Sequence, residues 1–92
     1  MSTKRVVVVT GGASGIGPGI CTLFARSGHR VAMLDLDYAA LERESAKLRA
    51  AGATILARKL DVSSREQTIA AYDAVRAELG TITVIVANAG IW

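Results

Sequence analysis

The segment T-G-G-A-S-G-I-G at residues 10–17 decides the fold of this 92-residue chain. It follows the valine run 6–9, which is typical of a buried β-strand, and it precedes a stretch of helical periodicity that ends at Gly28. Glycines in such a turn let the backbone approach an anion closely, and the N–H groups and dipole at the start of the helix attract negative charge. The segment therefore predicts a phosphate-binding turn and not an ordinary loop.

Strand and helix signals alternate along the rest of the chain. Further strands are predicted at 31–34, 54–60 and 82–87, with helices at 37–51 and 64–79 between them. Short loops and right-handed crossovers turn this β-α-β-α-β-α-β order into a doubly wound parallel α/β sheet, the Rossmann fold. We expect the strand order 3-2-1-4, with the more polar third strand at an edge. The ligand crevice is expected between the first and fourth strands, where the winding reverses.

Helical periodicity also predicts which side chains face the sheet. The spacing S-x-x-E at Ser63 and Glu66 predicts a capping box at the start of the third helix. Asp37 is expected to cap the second helix. The residues expected to face the sheet are Ile16, Ile20, Leu23 and Phe24 in the first helix, and Ile69, Tyr72, Val75 and Leu79 in the third.

Composition excludes several classes of protein. The chain is 51% hydrophobic and carries a net charge of +3, but its basic residues are scattered, so no nucleic-acid surface is expected. No apolar run approaches the ~18 residues that a membrane span requires, and no membrane contact is expected. The single cysteine, Cys21, suits a reducing compartment and inert packing in the core. A cytoplasmic location is the expectation, and no metal site is predicted.

Three motifs together resemble the short-chain dehydrogenase/reductase family. Residues 10–17 match its T-G-x-x-x-G-x-G signature, which differs in spacing from the common G-x-G-x-x-G. Asp61-Val62, after the third predicted strand, matches the family's Asp-Val/Leu pair beside the adenine ring. Asn88-Ala89-Gly90, after the fourth, matches its N-A-G element. The resemblance implies that residues 1–92 are the N-terminal part of one dinucleotide-binding domain, with the remainder of the domain absent.

The resemblance also implies a nicotinamide dinucleotide as cofactor. Asp35 ends the second predicted strand, close to the spacing of roughly 20 residues expected of an acid that binds the adenosine ribose. Its carboxylate would repel a 2′-phosphate, and Ser14 and Leu36 occupy places where NADP-preferring relatives carry basic residues. NAD is therefore expected, and NADP is disfavoured. The expected cofactor-binding residues are Gly11, Ser14, Gly15, Ile16, Gly17, Asp35, Leu36, Asp61, Val62, Asn88, Ala89 and Gly90.

In this family, hydride passes between the cofactor and an alcohol or ketone, with a serine, a tyrosine and a lysine acting on the substrate oxygen. Neither Tyr38 nor Tyr72 has the Tyr-x-x-x-Lys spacing, so no catalytic residue is expected in this chain beyond a supporting role for Asn88. Whether the 92 residues alone form an enzyme stays open, and the complete enzyme is expected to be a homo-oligomer. The alternatives are a stand-alone, non-catalytic fragment that binds NAD or adenine nucleotides, and a non-functional remnant.

Overall fold

The computed structural model describes residues 4–88, which form one parallel sheet with three helices. Its strands run in the order β3-β2-β1-β4, and all three strand pairs are parallel. The predicted doubly wound α/β fold, and the edge position of the third strand, are confirmed. None of the helices within residues 4–88 is long and apolar enough to cross a bilayer. The elements are β1 (Val6–Thr10), α1 (Gly17–Arg26), β2 (Arg30–Asp35), α2 (Tyr38–Ala50), β3 (Ile55–Lys59), α3 (Arg65–Leu79) and β4 (Ile82–Ala87).

The sheet carries a separate apolar core on each face. Val7, Val9 and Met33 pack under α1 and α2 on one face, whereas Val8 and Leu34 pack with residues of α3 on the other. All five of these side chains are fully buried. Burying such a side chain contributes about 1.5–3 kcal/mol, so the two central strands, covered on both sides, hold the sheet together. Their carboxyl ends are thereby fixed at one rigid edge.

Most of the residues predicted to face the sheet pack against it: Ile20, Phe24, Tyr72, Val75 and Leu79. One predicted residue in each of α1 and α3 does not. In α1, Cys21 is buried, and Leu23, two residues further on, is 69% exposed. In α3, Ala71 is buried, and Ile69, two residues before it, is 53% exposed. A separation of two residues is about 200° around a helix, so an apolar residue there points away from a buried one. Ile16, also expected to face the sheet, is 68% exposed, because it precedes the first turn of α1.

The predicted capping box is displaced by one residue. Ser64, and not Ser63, is the N-cap of α3, and its Oγ accepts a hydrogen bond from the Gln67 N–H at 3.2 Å. The Gln67 Oε1 in turn accepts from the Asp61 N–H at 3.1 Å. Ser63 is unavailable as a cap because its N–H and hydroxyl both donate to the Asp61 carboxylate. The loop after β3 is therefore tied to the start of α3.

Thr83 aligns β4 with β1. The register shifts by one residue between the pairs Val6↔Ile82 and Val7↔Val84, which leaves Thr83 without a partner in the strand pairing. Its Oγ1 compensates, since it accepts from the Val6 N–H and donates to the Val6 carbonyl, both at 3.2 Å. The shift brings the end of β4 level with Thr10, so the residue after β4 lies beside the glycine turn.

Candidate nucleotide-binding site

The glycine turn, residues 11–17, joins the carboxyl end of β1 to α1. Gly11 and Gly15 have φ angles of +66° and +57°, in the left-handed region that favours glycine. A Cβ atom at Gly17 would lie 1.9 Å from the Gly11 carbonyl oxygen, so the turn closes so tightly on itself that no side chain fits there. The first two motif glycines thus supply the bend, and the third supplies the close approach.

The turn presents unused donors to open space. Among residues 4–88, the N–H groups of Gly15 and Ile16 have no hydrogen-bond partner. A Cβ atom built at Gly15 would meet nothing within 4 Å. Pro18 occupies the first turn of α1, where its missing N–H removes no helical hydrogen bond. Two free N–H groups at the positive end of a helix form an arrangement that binds a phosphate group.

Asp35, at the end of β2, is buried against this turn and is only 7% exposed. Its Oδ2 accepts from the Ala13 N–H at 3.1 Å and from the Ser14 hydroxyl at 2.8 Å. Its Oδ1 accepts from the Asp37 N–H at 2.9 Å. Donors from two separate segments therefore fix both oxygens of this carboxylate.

The carboxylate of Asp35 does not cap α2. That cap is Asp37, as predicted, whose Oδ1 accepts from the Ala40 N–H at 3.0 Å. Asp35 instead connects β2 to the glycine turn, and the Gly12 N–H adds a second connection by donating to the Leu34 carbonyl at 3.1 Å. The sequence indicated the position of Asp35 but not these donors, because they come from a segment more than twenty residues earlier.

Asp61 follows β3 and is held in a different way. Its Oδ1 accepts from the Ser63 N–H at 3.0 Å and from the Ser63 hydroxyl at 2.6 Å. The hydrogen bonds from the Ser63 side chain, first, and from its backbone lower the pKa of Asp61 below the usual value. The carboxylate consequently stays ionised and able to accept further hydrogen bonds.

A cavity of about 180 Å³ lies between the ends of β2 and β3. Leu36 and Val62 are apolar, but they are 59% and 52% exposed. Leu60, the residue directly after β3, is buried. Each of these two exposed apolar side chains follows an aspartate in the sequence. Such a cavity suits a flat base that carries polar groups on its edge. Leu60 was missing from our prediction, although its place directly before Asp61 could have indicated it. The lining residues are Gly11, Asp35, Leu36, Leu60, Asp61 and Val62.

Two side chains hold the glycine turn from behind. The Asn88 Nδ2 donates to the Gly11 carbonyl at 3.0 Å, which connects the end of β4 to the turn. The Cys21 thiol is buried and contacts the Gly12 carbonyl at 3.8 Å. Burial raises the pKa of Cys21 to about 12, so it remains a neutral packing group. Ala89 and Gly90 of the predicted N-A-G element lie outside the described residues.

Comparison with known proteins agrees with this geometry. The sequence profile described as short chain dehydrogenase matches residues 5–92. The 1-deoxy-11-beta-hydroxypentalenate dehydrogenase of Streptomyces exfoliatus is 42% identical over 95% of this chain and 32% of its own length. The 2-(S)-hydroxypropyl-CoM dehydrogenase 3 of Xanthobacter autotrophicus is 37% identical over 96% of this chain and 34% of its own. The chain spans about a third of the length of these relatives.

Solved structures give the same result. An actinorhodin polyketide ketoreductase with NADPH superimposes with a TM-score of 0.91 at 34% identity, covering 99% of this chain and 36% of its own. A short chain dehydrogenase/reductase from Burkholderia phymatum in complex with NAD gives 0.87 at 34% identity, covering 89% and 29%. The chain therefore belongs to the short chain dehydrogenase family of oxidoreductases, and it corresponds to the N-terminal, Rossmann-fold portion of that family.

Proposed function

We propose that this chain binds NAD in preference to NADP, as the nucleotide-binding part of an oxidoreductase that transfers hydride between the cofactor and an alcohol or ketone. The observation that carries the proposal is the buried carboxylate of Asp35, fixed between the glycine turn and the 180 Å³ cavity. A carboxylate in this position accepts hydrogen bonds from ribose hydroxyls and repels a phosphate group on the same ribose.

The residues present fit a dinucleotide. The N–H groups of Gly15 and Ile16 would hold the pyrophosphate, in the space that the missing Cβ atom of Gly15 leaves open. Leu36 and Val62 would pack against the adenine ring, and Asp61 would accept a hydrogen bond from its amino group. Each group has the charge and polarity that its part of the ligand requires.

The preference for NAD rests on this chain's own residues, because one solved relative holds NADPH and another holds NAD. A basic residue, Lys59, lies opposite Asp35 in the parallel pairing of β2 and β3. Lys59 is exposed and is not a lining residue of the cavity, whereas Asp35 is buried and lines it. The carboxylate therefore dominates the electrostatic potential at the ribose.

The nicotinamide, when bound, accepts or returns the hydride. The described residues bind and orient the adenosine end, and Asn88 keeps the turn in place through the Gly11 carbonyl. Tyr38 is exposed, and Glu42 stands four residues after it, where the family's catalytic pair has a lysine. The hydrogen bond to Glu42 raises the pKa of the Tyr38 phenol. The polarisation of the substrate oxygen would fall to a serine, a tyrosine and a lysine outside these 92 residues.

Titration calorimetry of the full-length natural polypeptide with NAD, NADP and ADP-ribose tests the proposal. We expect NADP to bind at least ~10-fold more weakly than NAD, which corresponds to about 1.4 kcal/mol of repulsion. NADP binding as tight as NAD would reject the preference, and no binding of any of the three would reject the site. A panel of secondary alcohols then tests for formation of reduced nicotinamide. Binding of NAD without any reduction would favour the non-catalytic alternative.

A further inference from the structure

The Asp35 carboxylate, which would bind the ribose, already accepts hydrogen bonds from three groups of the protein itself. Resting on that function, we infer that the Ser14 hydroxyl competes with the adenosine ribose for the Asp35 carboxylate. Ser14 would then set how tightly the chain holds a nucleotide that carries both ribose hydroxyls.

The Asp35 carboxylate can accept only a limited number of hydrogen bonds. An ionised carboxylate offers about four lone-pair sites, two on each oxygen. In this structure the Ala13 N–H and the Ser14 hydroxyl use both sites of Oδ2, and the Asp37 N–H uses one site of Oδ1. About one site is left, whereas two ribose hydroxyls need two. One of the three present donors must withdraw when both hydroxyls bind.

The three present donors differ in how easily they can leave the Asp35 carboxylate. The Ala13 N–H belongs to the glycine turn, and the Asp37 N–H belongs to the N-cap residue of α2, so neither can turn away without moving backbone. Ser14 is exposed, and its hydroxyl leaves Oδ2 by a rotation about one side-chain bond. The Ser14 hydroxyl is therefore the donor that gives way.

Removal of the Ser14 hydroxyl should raise the affinity for NAD. Ser14→Ala frees the second site of Oδ2, while the Ala13 and Asp37 N–H groups still hold the carboxylate. We expect NAD to bind roughly 3- to 10-fold more tightly, since a hydrogen bond to a charged group no longer has to be broken first. The NAD analogue with 2′-deoxyadenosine brings one hydroxyl fewer and can use the site that is already open. Its affinity should not change.

The experiment is titration calorimetry of the full-length polypeptide, as wild type and variants, with NAD and with the 2′-deoxyadenosine analogue. Ser14→Ala and Ser14→Gly both lack the hydroxyl and should show the gain for NAD alone, so the test survives if one of them folds poorly. Ser14→Thr keeps the hydroxyl and should restore the wild-type affinity. Ser27→Ala is the matched control, because Ser27 is an exposed serine whose hydroxyl donates to the Leu23 carbonyl away from the site.

The results distinguish a failure of the Ser14 competition from a failure of nucleotide binding itself. An NAD affinity of Ser14→Ala equal to or below that of the wild type overturns the competition. An equal gain for both ligands overturns it as well, because a loosened turn, and not a freed acceptor, would then be the cause. If wild-type protein binds neither ligand, the proposed function itself is wrong.

Discussion

Asp35 and Asp61 line the same cavity at the ends of neighbouring strands, but the protein holds their carboxylates in different ways. Asp35 is 7% exposed and accepts hydrogen bonds from three residues, two of which belong to the glycine turn. Asp61 is half-buried and, within residues 4–88, its side chain accepts only from Ser63, two residues further along the chain. The position of Asp35 thus depends on tertiary packing, and that of Asp61 depends on a local turn. Changes that disturb the glycine turn should affect the first carboxylate and spare the second.

The largest effect is expected from Gly17→Ala. The new Cβ atom would overlap the Gly11 carbonyl oxygen at 1.9 Å, and because both are backbone positions the turn must move. We expect a loss of about 3 kcal/mol or more in the free energy of unfolding, and a roughly 100-fold or larger loss in NAD affinity. Chemical denaturation and calorimetric titration measure the two quantities.

Gly19→Ala is the matched control for that change. Gly19 lies inside α1, and a Cβ atom there would meet nothing within 4 Å. Replacing a helical glycine by alanine should therefore stabilise the protein by about 0.5–1 kcal/mol and leave NAD affinity unchanged. Equal stabilities for the two variants would contradict the close packing that the turn requires.

Removal of the Asp35 carboxylate ranks second. Asp35→Ala leaves the Ala13 N–H buried without its acceptor, which should cost about 1–3 kcal/mol of stability. NAD affinity should fall roughly 10- to 100-fold, and discrimination against NADP should shrink. Binding of both nucleotides and thermal unfolding are the measurements. Unchanged selectivity would remove Asp35 from the ribose site.

A further change, at Lys59, tests the charge on the strand next to Asp35. Lys59 lies opposite Asp35 in the parallel pairing of β2 and β3, so loss of the carboxylate leaves a basic residue on the neighbouring strand with no acid opposite it. Any NADP binding that Asp35→Ala gains should therefore decrease when Lys59→Ala is added. In the wild-type background, Lys59→Ala should have little effect on NAD, since Lys59 does not line the cavity. If NADP binding is the same with and without Lys59, the gain comes only from the removed repulsion.

The sequence alone predicts the features of the fold and the site that depend on local order. The strand–turn–helix order, the positions of Asp35 and Asp61 and the cap at Asp37 all follow from residue types a few positions apart. The donors to Asp35 could not be predicted, because Ala13 and Ser14 approach it only when β1 and β2 pair. Leu23 and Ile69 were misplaced since α1 and α3 carry apolar residues on more than one side, and only packing selects the buried side.

A smaller effect is expected from Asp61→Ala. Because Asp61 is half-buried and held only by a local turn, thermal unfolding should change little. NAD affinity should fall by roughly 3- to 10-fold, the value of one hydrogen bond to a charged group. The loss should disappear with the hypoxanthine analogue of NAD, which lacks the amino group that Asp61 would accept from. Asp73→Ala, at an exposed aspartate of α3, controls for a general effect of charge. A loss of equal size for both analogues would place Asp61 away from the adenine.

The smallest effect concerns the pKa of Asp61 itself. The Ser63 hydroxyl and N–H lower that pKa, so Ser63→Ala, which removes the larger contribution, should raise it towards its ordinary value. Carboxyl NMR titration measures the change directly.

A lowered pKa in the folded state stabilises the protein above the pKa of the unfolded chain, and this contribution is lost as the pH falls through the folded value. Ser63→Ala should reduce that acid-side dependence, since the Ser63 N–H still donates to the Asp61 carboxylate. Ser64→Ala should instead remove the cap of α3, at a cost of about 1 kcal/mol, and leave the pKa of Asp61 unchanged. A shift of that pKa in Ser64→Ala as large as in Ser63→Ala would show that the start of α3, and not the local turn, holds the carboxylate.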